Sequence, residues 1–280
     1  MNSTTPGAST NSTVPSTLLM GNLEICVFSI NLLFGLPTHS YIIWLIITGA
    51  GTGSGVASEF FILNLSVCEI GVCLDALFFI LLNRISVLVP LALLLQGLSI
   101  AGRPVFQCLM CVERYLAVVH PVTFLKYKPL RYRVICCTVA WIFILGSCLV
   151  CAITLMIYNI IAHAWFFLLQ FLIFLSIQLF CLVAVLRALK QSGPGERERG
   201  RGREEENHMK RRAFYLILIT TVNMVIAYVP IIISGVFIIL NSDYELTFWA
   251  PGFVCFVLAS FVQPVLYLHR TGKLACHSSS

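Results

Sequence analysis

The sequence predicts an all-α fold, a bundle of seven membrane-spanning helices with its amino terminus outside. Of the 280 residues 59% are apolar and only 11% are charged, against roughly 25% charged in an ordinary soluble domain. Twelve of the thirty charged residues crowd into positions 196 to 212, which leaves the remainder of the chain nearly free of charge. The apolar residues form seven runs, near 22 to 48, 57 to 83, 87 to 118, 133 to 157, 163 to 189, 211 to 240 and 246 to 269. Each is long enough to cross a bilayer, which takes about 20 residues. Sixteen of the eighteen Lys and Arg residues lie at the ends of spans 3, 5 and 7 or ahead of spans 4 and 6. Positive residues stay on the cytoplasmic side, so these ends face inward and the amino terminus faces outward.

Residues 1 to 21 are rich in Ser, Thr, Asn and Pro and read as a disordered extracellular tail. Its sequons, at Asn2 and Asn11, are glycosylation acceptors on that side of the membrane. The seven-helix domain covers 22 to 269. Span 1 carries His39 two residues after Pro37 and leads into GAGTGSG at 49 to 55, a plain connector with no phosphate-binding lysine. Spans 4 and 5 are joined by a few residues around Tyr158 to Ala162. The mixed-charge stretch 191 to 209 reads as a flexible third intracellular loop, with spans 5 and 6 extending into the cytoplasm toward a turn at Gly193-Pro194-Gly195. Residues 270 to 280 form a short basic cytoplasmic tail, in which Cys276 is a lipidation candidate on a segment lying against membrane lipids.

Eleven of the twelve cysteines lie in apolar runs and read as small buried hydrophobes. No Cys/His spacing points to a metal, and no serine or cysteine nucleophile stands near a base, so the sequence indicates neither a metal site nor an enzyme. The net charge of +6 reports topology. No basic patch interleaved with aromatics suggests nucleic acid.

Ionisable residues inside a bilayer cost at least about 2.5 to 3.5 kcal/mol each, so each one calls for a reason. In span 3, Gln96, Arg103, Gln107 and Arg114 are 7, 4 and 7 residues apart, and at 100° per residue they share an arc of about 40°. That face should point into the bundle. Span 2 holds Glu69 and, six residues on, Asp75, roughly 120° away around the helix, so the two should face different neighbours. Span 7 offers Ser260, Gln263 and Tyr267 on one face beside Pro264, which interrupts the hydrogen-bond ladder. Arg103 is expected to pair with Glu69, each making the other's charge tolerable, with His39, Gln107, Ser260 and Gln263 in the same polar core.

Glu113-Arg114-Tyr115 followed by LAVVHP, Trp141 in span 4, Pro230 in span 6 and Gln263-Pro264-Val265-Leu266-Tyr267 in span 7 resemble the class A, rhodopsin-like G-protein-coupled receptors. The resemblance covers residues 23 to 275. ERYLAVVHP with FLKYKPLRYR, and GLPTHSYIIW in span 1, are similar to the branch of nucleotide, proteinase-activated and hydroxycarboxylic acid receptors, which this chain resembles as a divergent member would. The resemblance implies a plasma-membrane receptor that converts binding of an extracellular ligand into activation of a heterotrimeric G protein. Arg114 would leave Glu113 and contact the G protein, and Tyr267 would swing inward. Lys210 stands where many members have a Glu that locks Arg114, which implies repulsion there and high basal activity. Glu69 replaces the usual span 2 Asp, His39 the span 1 Asn and Gln263 the residue before the span 7 proline. Arg103 replaces a small hydroxyl residue and would take the place of the family's sodium ion, so no cofactor is expected. Val89 stands where the family has a disulfide-forming cysteine.

For the ligand pocket, Gln96 is the first candidate, followed by Asp75, Tyr228, Trp249, His163 and Arg84. The residue matching the carboxylate-binding arginine of hydroxycarboxylic acid receptors is Ile85, so no carboxylate ligand follows. Two other functions stay open. One is a small-solute transporter using Glu69, Asp75, Arg103 and His39, although seven spans without an internal repeat do not fit the usual transporter plan. The other is a receptor-like protein that does not signal and acts as a dimer partner.

Overall fold

The structure, a computed structural model, describes residues 22–23, 25–49, 56–82, 88–127, 130–191, 200–241 and 250–271. Asn2, Asn11, Arg84, Ile85, Trp249 and Cys276 lie outside the described residues. Among the described residues the regular structure is entirely helical, and seven helices are long and apolar enough to cross a membrane: Ile25–Ile47, Glu59–Phe78, Val89–Val119, Arg131–Met156, Ile160–Lys190, Lys210–Phe237 and Pro251–Arg270. The chain is thus a multi-pass membrane protein with a seven-helix bundle. Only helices and closed barrels satisfy every backbone polar group without water, and unbroken apolar runs of this length select the helix.

Span 3 is the centre of the bundle and packs against spans 2, 4, 5 and 6. Its middle is buried on every side, from Ala101 to Cys108. By contrast, spans 4 and 5 turn Val139, Ile142, Leu149, Leu169 and Phe180 outward. In water that apolar surface would be a liability; in lipid it is the solvated face. The polar groups go inward, as the span 3 arc requires. Phe106 at the core meets Trp141 of span 4 edge to face at 5.8 Å, and Trp141 Nε1 donates to Asn64 Oδ1 of span 2 at 2.9 Å. That single indole ties three spans together.

Helix irregularities fall where the sequence provides a cause. Span 1 loosens to a π turn over Asn31–Gly35 ahead of Pro37, a common response to a proline whose missing N–H leaves a carbonyl free. Span 7 divides into Ala250–Ser260 and Val262–Arg270, because Pro264 cannot donate to the Ser260 carbonyl four residues back. Spans 4 and 5 turn through Ile157 to Asn159. There Tyr158 adopts a left-handed φ of 55° and Asn159 Oδ1 accepts from the Ala162 backbone N–H at 3.0 Å, capping span 5. The span 6 helix begins at Gly200 and runs to Asn241. Residues 200 to 209 are therefore helical and not part of a loop spanning 191 to 209. Arg201, Arg203 and Glu204 to Glu206 are good helix formers.

Candidate functional site

Two polar groups lie on the axis of the bundle. The first is at mid-membrane. Arg103 Nε donates to Glu69 Oε1 at 2.5 Å and its Nη2 to Glu69 Oε2 at 2.8 Å, a two-pronged pair between spans 3 and 2. Nη1 donates to the Phe256 carbonyl of span 7 at 2.9 Å, and the guanidinium carbon lies 4.0 Å from the centre of the Phe256 ring. Arg103 and Glu69 are 2% and 3% exposed. The pairing expected between them is present, and Phe256 is a third partner that residue spacing could not reveal, since a backbone carbonyl carries no sequence signal.

The remaining polar residues divide differently from the expectation. His39 is buried within electrostatic reach of both Glu69 and Arg103, and among the described residues neither ring nitrogen has a hydrogen-bond partner. Gln107 is fully buried, and its amide also has no partner among the described residues. Ser260 bonds back to the Val257 carbonyl of its own helix at 2.6 Å. Gln263 reaches Thr220 of span 6 at 3.4 Å and belongs to the second polar group. Asp75 does not face away from span 3: it accepts from Ser99 Oγ at 3.5 Å. Span 2 thus presents both carboxylates to span 3, one to its centre and one to its flank, because a helix interface is wide enough to admit residues 120° apart at different heights.

Three ligand-pocket candidates are packed or hydrogen-bonded within the bundle. Tyr228 is a core residue, 1% exposed. It packs between Phe167, Phe171 and Phe256, and its hydroxyl donates to the Ser99 carbonyl at 3.3 Å. His163 is buried where spans 4 and 5 meet, its Nδ1 3.4 Å from the Thr154 hydroxyl. Asp75 is held by Ser99. Gln96 remains half-buried near the end of span 3 away from Arg114.

The second polar group is at the opposite, basic end. A cavity of about 50 Å³ lies between spans 2, 3, 6 and 7, and Arg114, Thr220, Gln263, Tyr267 and Arg270 supply its polar wall. Glu113 points elsewhere, toward Arg133 at the start of span 4, 3.4 Å away. Tyr115 turns its hydroxyl to His120 Nε2 at 3.1 Å. A span 6 cation bearing on Arg114 is Arg212, two residues and so about 200° around the helix from Lys210. Arg270 adds its charge from span 7. Spacing alone did not point to Arg212, because it gives a residue's distance along a helix but not the helix's rotation about its axis. Arg270 could have been found, since three residues after Tyr267 is the same helix face.

No protein-family model matches the chain, and no curated protein matches it. The functional reading therefore rests on the geometry above.

Proposed function

We propose that this chain is a rhodopsin-like, G-protein-coupled receptor of the plasma membrane. A ligand arriving from outside shifts the packing of spans 6 and 7 around span 3, and the basic end then engages a heterotrimeric G protein. The observation that carries this reading is the basic-end cavity. It brings Arg114, Thr220, Gln263, Tyr267 and Arg270 from three spans to the end that the Lys and Arg distribution assigns to the cytoplasm. Span 7 is already broken at Phe261, immediately outside that cavity, which provides a place for the movement. Span 6 projects past the membrane from Gly200 and offers a lever on the same side.

Arg114 and Arg270 line one small cavity and Arg212 bears electrostatically on both, so like charges oppose the closed arrangement. This favours high basal activity. Cells expressing the full chain should show raised second-messenger levels without added ligand, read through reporters for several G-protein classes. Arg114→Ala should return them to the untransfected level at equal surface expression. Equal signals from both would remove this reading.

The mid-membrane pair supports a receptor over a transporter. Arg103 is held by Glu69, by the Phe256 carbonyl and by the Phe256 ring at once, which closes the polar axis where a solute would have to pass. A fixed guanidinium also repels cations. We therefore expect the thermal unfolding midpoint of the purified chain to be the same in sodium chloride and in choline chloride at equal ionic strength. A stabilisation specific to sodium would show that a cation site survives beside Arg103.

A further inference from the structure

Spans 6 and 7 are bonded to each other on both sides of the break in span 7. Asn223 Nδ2 of span 6 donates to the Ala259 carbonyl at 3.2 Å, just ahead of the break. Gln263 Nε2, just past it, donates to Thr220 Oγ1 at 3.4 Å. Asn223 and Thr220 are three residues apart and so share one face of span 6, and both are buried. The Thr220 hydroxyl gives its own proton to the Leu216 carbonyl at 2.7 Å, which leaves its lone pairs to accept from Gln263. Ala259 and Gln263 stand about one helical turn apart, and Pro264 lacks the N–H that would stiffen that turn. Two side chains of span 6 thus grip the weakest turn of span 7.

The surrounding packing decides which helix can leave. Span 7 is anchored to span 3 where Arg103 Nη1 donates to the Phe256 carbonyl, three residues ahead of Ala259. Toward their outer ends the backbones of spans 6 and 7 come close, since a methyl group at Gly252 would lie 2.6 Å from Ile231 Cγ1 and 3.3 Å from Ile231 Cα. That contact is next to Pro230, which interrupts the span 6 ladder. Span 6 is therefore pinned at Ile231, weakened at Pro230, and held on the inner side of that point by Asn223 and Thr220.

We propose that Asn223 and Thr220 form a clasp that holds the inner half of span 6 against span 7 in the resting packing. Switching has to open the clasp, while the contact between Gly252 and Ile231 stays closed as the pivot. Both are positioning residues that act through span 7. Their part in switching rests on the signalling reading above; the clasp as a restraint on span 6 does not.

Hydrogen exchange of the detergent-purified full chain, read by mass spectrometry, tests the restraint. Basal second-messenger output of the full chain in cells tests its role. Thr220→Val and Asn223→Leu should each speed exchange about fivefold around 216–226 and 258–265, the effect of one neutral hydrogen bond on an equilibrium, and leave spans 2 to 4 unchanged. Each should also raise basal output at equal surface expression. Thr221→Val is the control. It removes a similarly buried hydroxyl that donates to the Ile217 carbonyl of its own helix at 2.9 Å, and it should change neither readout. Where one of the two clasp variants does not fold, the other decides.

Faster exchange confined to spans 6 and 7, with raised output, supports the proposal. The same change in exchange with no output from the parent chain or any variant supports the clasp and removes the signalling reading alone. Unchanged exchange overturns the proposal. So does acceleration that spreads through spans 2 to 4, or that Thr221→Val reproduces. Local acceleration with unchanged or lowered output from a parent chain that signals also overturns it.

Discussion

Glu69→Gln and Arg103→Ala should each cost about 3 to 5 kcal/mol of stability, the effect of stranding one partner of a buried ion pair, and the double variant should cost less than either. Both residues are almost fully buried, and they share two hydrogen bonds. Removing Glu69 leaves a guanidinium that cannot lose its proton, with only the Phe256 carbonyl and ring for support. Removing Arg103 leaves a carboxyl, which can shed its charge by binding a proton. Glu69→Gln should therefore be the more damaging single substitution. Surface expression and the unfolding midpoint of all three variants measure this, and the coupling between the substitutions isolates the pair. Simple additivity would show that the two residues contribute separately.

Gly97→Ala should be the next most damaging change, at about 1 to 3 kcal/mol, the usual range for overpacking a filled interior. A methyl group at Gly97 would lie 2.5 Å from the Cys148 Cα and 3.1 Å from the Cys151 Cβ. The nearest atom is backbone, so no rotamer change relieves the contact and spans 3 and 4 have to separate. That separation also disturbs the seam where Trp141 meets Phe106 and Asn64. Gly146 of span 4 is the matched control. An added methyl there meets nothing within 4 Å, and Gly146→Ala should be neutral or stabilising by up to about 1 kcal/mol through helix propensity. If both variants unfold at the same temperature, the close approach of spans 3 and 4 is not what limits stability.

The seven spans were legible in the sequence because bilayer thickness sets a length of apolar chain, and length survives in one dimension. The inward polar face of span 3 was legible for a related reason: Arg103, Gln107 and Arg114 repeat with the period of a helix. The partnership of Arg103 with Glu69 followed from cost, since a charge at that depth requires an opposite charge. Where residue spacing had to stand in for packing, the reading was incomplete. Asp75 meets Ser99 on the same neighbour as Glu69, Tyr228 and His163 are packed between helices, and Arg212 bears electrostatically on Arg114.

Sequence by itself thus determined that this is a multi-pass bundle and that its axis carries buried charge, because the energetic penalties that enforce both are local to each helix. Only the tertiary structure decided how that charge is distributed. Arg103 is tied to a backbone carbonyl of span 7, and Arg114 and Arg270 line one cavity while Glu113 turns to Arg133. Those outcomes depend on how far each helix is rotated about its own axis and where its kinks fall. Rotation and kinking are settled by packing among all seven spans together, a property no single segment carries.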